Sequence, residues 1–220
     1  MFERLLPEGT VVAEGPIGEG GGHDALLPEE RPLLAGAVAA RRREFVAGRR
    51  YARQALAALG LTGVAIPSGP GREPRWPPGV TGSITHCRGY CAAAVGWRRT
   101  VGSLGIDLEL EESLGPDVER LVCSPAERRH AARLRPSGVA WTTVVFSAKE
   151  SLYKAWFPLT GRWLDFHQAE VEIDPGRGAF VVSLTAPARA ALGAGGRVHG
   201  RFLLEGGYVA TVAVISGSGA

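Results

Sequence analysis

The stretch FSAKESLYKAW, residues 146–156, contains both lysines of the chain, Lys149 and Lys154. All the rest of its 25 basic residues are arginines, which indicates a GC-rich genome and makes a retained lysine informative. Lysine carries a compact charge that can shift its pKa and transfer a proton, whereas the arginine fork stays charged. The two lysines are therefore candidates for chemistry.

On a helix, Glu150 and Lys154 lie at positions i and i+4 on one face, with Ser147 nearby and aromatic residues such as Phe146 and Trp156 beside them. One interpretation is a surface ion pair that stabilises the helix by ~0.3–0.5 kcal/mol. The other makes Glu150 a metal ligand or general base and lets Lys154 contact a phosphate or protonate a leaving oxygen. The aromatic residues around the lysines favour this second interpretation.

A second acidic pair lies in GIDLEL, residues 105–110. Its alternation of apolar and acidic residues predicts a half-buried strand that carries Asp107 and Glu109 on one face. The two carboxylates would then stand ~7 Å apart at the backbone, where repulsion disfavours the ionisation of both without a cation. A hard ion such as Mg²⁺ would relieve this repulsion and bind substrate phosphates as well. The alternative is a solvated acidic edge.

The run RRREFVAGRRYAR, residues 41–53, has a helical pattern that places Arg42, Arg49 and Arg53 in one direction. Such a face can bind a phosphate, bind nucleic acid or stay solvated. No helix-turn-helix, RNP or zinc-finger pattern accompanies it, and the net charge of the chain is only +3. The sequence therefore predicts no nucleic-acid partner. Gly48, inside this run, is expected to serve close packing.

The segment TGSITHC brings Ser83, Thr85 and His86 together on a glycine-flanked strand, and these side chains suit phosphate oxygens. The alternative for His86 is a buried histidine with satisfied hydrogen bonds. Cys87 and Cys91 follow closely, but this spacing without a second ligand pair is a weak zinc signal, and we expect no zinc site.

The elements that would position these groups mix helices and strands, so α+β is the predicted fold class. Residues 28–59 have a helical pattern divided by Pro32 and Gly36, and residues 15–22 predict a loop. The remaining predictions are a capping box at 124–127, a long helix over 139–156 ending near Pro158, and hairpins with turns at 174–178 and 205–207.

The composition and the N-terminal sequence argue against a secreted protein and against a membrane-spanning one. The chain has 220 residues, 45% of them hydrophobic and 21% charged, as is typical of a globular domain. Its start, MFERLLPEGT, lacks the basic-then-apolar pattern of a secretory signal, and no run approaches the ~20 apolar residues of a membrane span. We therefore expect a cytoplasmic protein without a membrane partner.

Four blocks of the chain, in order, resemble the phosphopantetheinyl transferase superfamily, in particular its larger surfactin- and enterobactin-synthetase type. They are RRREFVAGRRYAR, EPRWPPGVTGSITHC, VGSLGIDLE and FSAKESLYKAWFPLTGRWLDF, and they span residues 41–166. The last two carry the most specific motifs, G-[IV]-D-x-E and [FW]-[SCT]-x-K-E-[AS]-x-x-K. WFPLTGRWL is similar to actinobacterial members.

The resemblance implies transfer of the 4'-phosphopantetheine arm of coenzyme A to a serine of apo acyl or peptidyl carrier proteins, with release of 3',5'-ADP. These carrier proteins belong to polyketide, nonribosomal peptide and siderophore pathways. It implies that the bound metal ion is Mg²⁺, which Mn²⁺ can replace, and that the protein is a monomer. A coenzyme A or nucleotide binding protein that has lost catalysis is the alternative.

The resemblance further implies two pseudo-symmetric α/β subdomains, each a three-stranded sheet with a packed helix, with coenzyme A in the cleft between them. We expect the boundary between residues 1–105 and 106–220, with the coenzyme-gripping residues in the first part and the metal site in the second.

Position by position, the resemblance implies that Asp107, Glu109 and Glu150 bind the metal. Glu150 would also deprotonate the serine, directly or through water, and Asp107 belongs to the same catalytic group. Lys154 would contact the reacting phosphate and neutralise the departing oxygen. Lys149 is assigned to structure or to carrier-protein contact.

The resemblance also assigns the coenzyme's 3'-phosphate and pyrophosphate to a second group, which consists of Arg41, Arg49, His86 and the backbone from Ser83 to Thr85. The family often has a lysine in the proline-rich loop, where this chain has Gly71 followed by Arg72. Arg72 or Arg75 is the expected substitute.

Overall fold

The computed structural model of the chain describes residues 1–18, 25–34, 36–192 and 196–216. The helices there are α1 (Ala39–Ala58), α2 (Arg98–Val101), α3 (Pro116–Val122), α4 (Pro125–Ala131), α5 (Trp141–Thr160) and α6 (Ala186–Leu192). The strands are β1 (Thr10–Pro16), β2 (Val80–Cys87), β3 (Tyr90–Trp97), β4 (Ser103–Leu110), β5 (Ala169–Asp174), β6 (Ala179–Leu184), β7 (Arg197–Glu205) and β8 (Tyr208–Ile215). Short 3-10 helices cover Phe2–Arg4, Pro28–Leu34 and Phe166–Gln168.

The described strands form two antiparallel sheets, one in the order β1-β3-β2 and the other in the order β4-β8-β7-β6-β5. Helix α1 packs on the first sheet and α5 on the second. The predicted α+β class is confirmed. The expectation of three strands in each half is wrong for the second half, because two hairpins add four strands to β4. The predicted boundary after residue 105 falls inside β4, and the division into two subdomains stays a prediction.

The hairpin turns and the helix cap lie where the sequence predicts them, whereas the end of α5 does not. Both hairpins and the capping box at the start of α4 are present, with the Glu127 amide donating to Ser124 Oγ. Helix α5 ends at Thr160, beyond the predicted end near Pro158. Gly161 closes the helix in the left-handed conformation with φ 62°. A proline in the last turn removes only one backbone hydrogen bond, so the helix continues past it.

The helical region near the N-terminal third is divided as predicted, into the 3-10 helix Pro28–Leu34 and α1. The loop predicted over residues 15–22 is wrong at its start, because Gly15 and Pro16 end β1. Residues 19–22 of that loop lie outside the described part of the chain. No helix in the described part is both long enough and apolar enough to cross a membrane.

Helix α5 lies directly against β4 because the strand carries a glycine at the crossing point. A Cβ at Gly105 would overlap the carbonyl oxygen of Ser151. Ser103 Oγ also donates a hydrogen bond of 2.7 Å to the Ala155 carbonyl. Strand β4 is therefore buried on both faces from Ser103 to Leu108, not half-buried as predicted. This close approach brings α5 side chains over the acidic residues of β4.

Helix α1 approaches the first sheet in the same manner. A Cβ at Gly48 would come within 3.0 Å of Ile84 Cγ2 on β2. The packing role expected for Gly48 is thus confirmed. The approach sets the arginines of α1 beside the end of β2.

The two sheets meet where β2 runs beside β4. Instead of a backbone ladder, three hydroxyls on one face of β2 accept hydrogen bonds from three amides of β4. The pairs are Leu104 to Thr81 (3.4 Å), Ile106 to Ser83 (3.1 Å) and Leu108 to Thr85 (3.1 Å). We call this set the hydroxyl ladder. It joins the strand that carries His86 to the strand that carries Asp107.

Candidate active site

The carboxylate of Asp107 is only 3% exposed, and both of its oxygens are hydrogen-bonded. Lys154 Nζ donates to Oδ1 over 2.6 Å, and Ser147 Oγ donates to Oδ2 over 2.8 Å. Lys154 Nζ also donates to the Ile106 carbonyl (3.2 Å) and to Thr85 Oγ1 (3.3 Å). Among the described ion pairs, Lys154 thus binds Asp107 and not Glu150. The ion pair between Glu150 and Lys154 that the helical spacing allowed is absent from the described ion pairs.

Asp107, Glu109 and Glu150 line one cavity of about 430 Å³ together with Lys154. Burial, followed by repulsion from Asp107 and Glu150, raises the pKa of Glu109 to about 7, although Lys154 opposes the shift. Burial and repulsion from Asp107 also raise the pKa of Glu150, again against the effect of Lys154. The three carboxylates therefore share one site that is short of positive charge.

The described residues contain no cluster of three or more His, Cys, Asp or Glu side chains already arranged to hold a metal ion. The chemistry of the donors nevertheless fits a hard divalent cation. Carboxylate oxygens are the ligands that Mg²⁺ prefers. A cation would also relieve the repulsion that raises the pKa of Glu109 and Glu150.

Arg41 borders the same cavity and contacts His86 and Glu44. Arg41 lies 2.9 Å from His86 Nε2, and Glu44 contacts both residues, at 3.4 Å from Arg41 and 3.7 Å from His86. Arginine can only donate, so His86 Nε2 accepts and the ring is neutral with its proton on Nδ1. Burial is the main cause that lowers the pKa of His86, with Arg41 and Lys154 acting in the same direction and Glu44 against it. Because its side chain is 33% exposed and lines both cavities, His86 is not a core histidine, and its role stays a prediction.

Arg49 is a buried cation, 5% exposed, beside a second cavity of about 440 Å³. It donates to Ser68 Oγ over 2.8 Å and stacks on the Phe45 ring at 4.3 Å from the centroid. Its Nε has no hydrogen-bond partner among the described residues. Burial lowers its pKa to about 10, so the side chain remains charged at neutral pH. A buried guanidinium with a free N–H suits an anionic ligand.

The other arginines of the predicted face are bound within the protein. Arg42 Nε donates to the Ala37 carbonyl over 2.7 Å, and Arg53 forms an ion pair with the buried Glu30. The helix therefore does not present Arg42, Arg49 and Arg53 as one solvated face.

The chain matches two descriptions of one protein family. Residues 29–96 match the 4'-phosphopantetheinyl transferase N-terminal domain. Residues 103–213, which include β4, α5 and both hairpins, match the 4'-phosphopantetheinyl transferase superfamily. The chain belongs to this superfamily. The family and the enzyme class expected from the sequence are thereby confirmed.

Three phosphopantetheinyl transferases show the extent of the similarity. The chain is 47% identical to PptT of Mycobacterium tuberculosis, over 67% of this chain and 65% of that protein. It is 42% identical to Svp of Streptomyces mobaraensis, over 87% of this chain and 79% of the relative. It is 39% identical to Npt of Nocardia iowensis, over 96% of this chain and 98% of the relative. The similarity to Npt extends over nearly the whole of both chains.

All ten predicted site residues of this phosphopantetheinyl transferase superfamily member line one or both of the two cavities. They are Arg41, Arg49, Arg72, Ser83, Thr85, His86, Asp107, Glu109, Glu150 and Lys154. Arg41, Arg72 and His86 line both cavities, so the two are adjacent. Of the two candidate loop arginines, Arg72 lines them and Arg75 does not. The roles of these residues stay predictions.

The hydroxyls of Ser83 and Thr85 already have partners in the structure. Both belong to the hydroxyl ladder, and Ser83 is 3% exposed. A phosphate contact at these positions would therefore use the backbone or compete with the ladder. The placement disfavours the hydroxyl contact expected from the residue types, whereas the backbone contact implied by the resemblance stays a prediction.

Sequence reasoning missed two residues that contact this site. Ser147 was noted only as a neighbour of Glu150, although its spacing of i, i+3 and i+7 with Glu150 and Lys154 puts all three on one helical face. Thr211, which lies 2.9 Å from Ser147 Oγ, gave no signal, because the register of β8 against β4 is a tertiary property.

Lys149 lies in a separate buried site. Its Nζ donates to Glu127 Oε2 (2.8 Å) and to the carbonyls of Val122 (2.8 Å) and Phe166 (2.9 Å). Three N–H donors meet three acceptors in a shape that suits an ammonium and not a planar guanidinium. This geometry supports the structural role considered for Lys149.

Proposed function

We propose that this chain transfers the 4'-phosphopantetheine arm of coenzyme A to a serine hydroxyl of apo acyl or peptidyl carrier proteins. The superfamily uses coenzyme A as its substrate. The observation that carries the proposal is the meeting of three carboxylates and Lys154 in one cavity, next to a second cavity that contains Arg49.

In this reaction the serine oxygen forms a bond to the phosphorus on the pantetheine side of the pyrophosphate. The bond from that phosphorus to the bridging oxygen breaks, and its electron pair leaves with 3',5'-ADP. Phosphoryl transfer asks the protein mainly to position groups and to stabilise charge. The cavity offers one base, one ammonium and several acidic and basic side chains for these tasks.

Glu150 is the proposed base. It lies in the cavity with Lys154, and burial, which is the main cause of its raised pKa, makes it a better proton acceptor than an ordinary carboxylate. Lys154 would neutralise charge on the departing ADP oxygen. Asp107, Glu109 and Glu150 would hold Mg²⁺, or Mn²⁺ in its place, which would neutralise the charge of the pyrophosphate when bound.

Arg49 and Arg41 are proposed to bind the phosphate groups of coenzyme A. The free Nε of Arg49 and the position of Arg41 beside neutral His86 support this assignment. Arg72, which lines both cavities, is the proposed substitute for the loop lysine. The cytoplasmic location and the monomeric state remain predictions from the sequence.

The proposal is tested by incubating the protein with coenzyme A, Mg²⁺ and a panel of apo acyl and peptidyl carrier proteins, followed by intact-mass spectrometry. We expect carrier masses to rise by one phosphopantetheine arm, and Glu150→Gln to lose this transfer. The matched control is Glu112→Gln, the same change at an exposed position outside the cavity.

Two results would count against the proposal. Coenzyme A binding without transfer to any carrier would favour the inactive binding protein instead. Full transfer by a folded Glu150→Gln variant would remove the role given to Glu150. The panel also identifies which type of carrier is accepted.

A further inference from the structure

Asp107 is held from the interior of the protein by the hydroxyl of Ser147, which in turn lies beside the hydroxyl of Thr211. Ser147 Oγ donates to Asp107 Oδ2 over 2.8 Å and lies 2.9 Å from Thr211 Oγ1. Thr211 Oγ1 also donates to the Ser147 carbonyl over 2.9 Å. Ser147 and Thr211 are both 0% exposed. Buried hydroxyls with this connectivity fix the groups they contact.

The fold places the three residues together from three elements. Asp107 and Thr211 face each other in the register of β4 and β8. Ser147 comes from α5, which reaches β4 because of Gly105. Side chains directly opposite on neighbouring antiparallel strands lie close enough to interact. Ser147 therefore meets both residues at once.

Ser147 departs from the usual behaviour of a serine in a helix. A helical serine often returns its hydroxyl to a carbonyl of the preceding turn. Ser151 does so, with its Oγ donating to the Ala148 carbonyl over 2.9 Å. Ser147 instead directs its hydroxyl across the helix–strand interface to Asp107. Thr211 occupies the space beside it and contacts both its hydroxyl and its carbonyl.

As a result, the two oxygens of the Asp107 carboxylate lie in different surroundings. Oδ2 is directed toward Ser147, which is fully buried, and Oδ1 is directed toward Lys154, whose side chain is 27% exposed and lines the cavity. Asp107 therefore presents only Oδ1 toward the cavity, where it accepts hydrogen bonds from Lys154 (2.6 Å) and Thr85 Oγ1 (3.5 Å), and a cation bound there would share this oxygen with Lys154 or displace the ammonium. The rotation of the carboxylate is restricted because the other oxygen is bound.

We propose that Ser147 and Thr211 are positioning residues that hold Asp107 as a one-oxygen ligand for the divalent cation. This inference rests on the proposed function. Thr211 acts through Ser147, and Ser147 acts through Asp107. Groups that orient metal-binding carboxylates in this manner typically affect metal affinity by about 10–100-fold.

The test measures coenzyme A binding by calorimetry at a series of Mg²⁺ concentrations without a carrier protein, so that no turnover occurs. We expect Ser147→Ala to need about 10-fold more Mg²⁺ for the same coenzyme A affinity. The matched control is Ser151→Ala, which removes an equally buried hydroxyl one turn away on the same helix. This control should behave as the wild type does.

A second set of measurements separates positioning from general loosening. Thr211→Val should raise the Mg²⁺ requirement less than Ser147→Ala, and the double variant should equal Ser147→Ala alone, because the two residues act in series. Excess Mg²⁺ should restore the kcat of Ser147→Ala, with KM for the carrier unchanged. Ser147→Cys keeps a side chain of similar size with a weak hydrogen-bond donor, so its Mg²⁺ requirement should lie between those of the wild type and Ser147→Ala. This variant replaces Ser147→Ala in the test if the alanine variant does not fold.

Three outcomes would overturn the inference: an unchanged Mg²⁺ requirement in folded Ser147→Ala or Ser147→Cys, an equal loss in Ser151→Ala, or no rescue by excess Mg²⁺. Failure of the proposed function would look different. In that case the wild-type protein would transfer nothing and would bind coenzyme A without any dependence on Mg²⁺.

Discussion

Lys154 Nζ lies 2.6 Å from Asp107 Oδ1, so the ammonium of α5 is bound to the buried carboxylate of β4. The two residues are 47 positions apart in the chain. Their contact depends on Gly105, which lets the helix backbone lie against the strand. Lys154 also reaches the Ile106 carbonyl and Thr85, so that its three donors all point at the junction of the two sheets.

Replacement of Lys154 by arginine should lower kcat by about 10²-fold, the scale of a lost proton-transfer or charge-stabilising group. A planar guanidinium cannot place three donors where the ammonium places them. The measurement is the initial rate of transfer from fluorescent coenzyme A to an apo carrier protein. Arg177→Lys, in the exposed turn between β5 and β6, is the control exchange between the two basic residue types. A wild-type rate in Lys154→Arg would contradict the prediction.

Glu109 should make stability depend on pH. Its pKa is about 7 in the folded protein and 4.5 as the ordinary value, so the folded state keeps a proton that the unfolded chain has released between these pH values. The stabilisation from Glu109 is complete below about pH 4.5 and is lost as the pH rises through 7. In EDTA, Glu109→Gln should therefore gain unfolding free energy relative to the wild type between pH 5 and pH 8.

Chemical denaturation at several pH values measures this gain. Glu172→Gln, an exposed change on β5, should show no such trend. A constant difference between wild type and Glu109→Gln across the range would mean that Glu109 does not titrate as described. Addition of Mg²⁺ should reduce the difference, because a bound cation favours the ionised carboxylate.

The hydroxyl ladder predicts a cost for Ser83→Ala. The change leaves the buried Ile106 amide without an acceptor, which should lower the unfolding free energy by about 1–3 kcal/mol in urea denaturation. Ser151→Ala removes a hydroxyl without orphaning a backbone amide and should cost less. If Ser83→Ala keeps its stability but loses coenzyme A affinity, the hydroxyl binds ligand and the ladder is unimportant at this position.

Lys149 should be required for folding and not for chemistry. Lys149→Met leaves the Glu127 carboxylate buried without its ammonium partner and should cost about 3–5 kcal/mol. The double variant with Glu127→Gln should recover part of this loss. Urea denaturation gives the stability, and calorimetry gives coenzyme A affinity. The affinity should be unchanged at temperatures where the variants remain folded, and a specific loss of affinity would contradict the assignment.

Much of the candidate site could be predicted because its residues lie in short segments with strong patterns. Asp107 and Glu109 alternate with apolar residues on β4, and Glu150 and Lys154 have helical spacing on α5. Gly48 could be singled out because glycine destabilises the interior of a helix, and its close packing against Ile84 explains why a glycine is present.

The other features could not be predicted, because most of them depend on contacts between segments that are distant in the sequence. The local pattern pairs Lys154 with Glu150, but burial of Asp107 makes that carboxylate the stronger partner. The alternation of β4 predicted a half-buried strand, because nothing in it shows that α5 covers the acidic side. Strand β1 was missed since it is an edge strand whose residues are mostly only partly buried, which weakens its apolar pattern.

The burial of Lys149 has a practical consequence. With one lysine sealed in the core, amine-directed reagents have a single lysine side chain to reach, and it is the one in the cavity. Immobilisation or dye labelling through lysine chemistry would therefore attach the label inside the cavity, at the residue proposed to contact the reacting phosphate, and attachment through an introduced surface cysteine would avoid this.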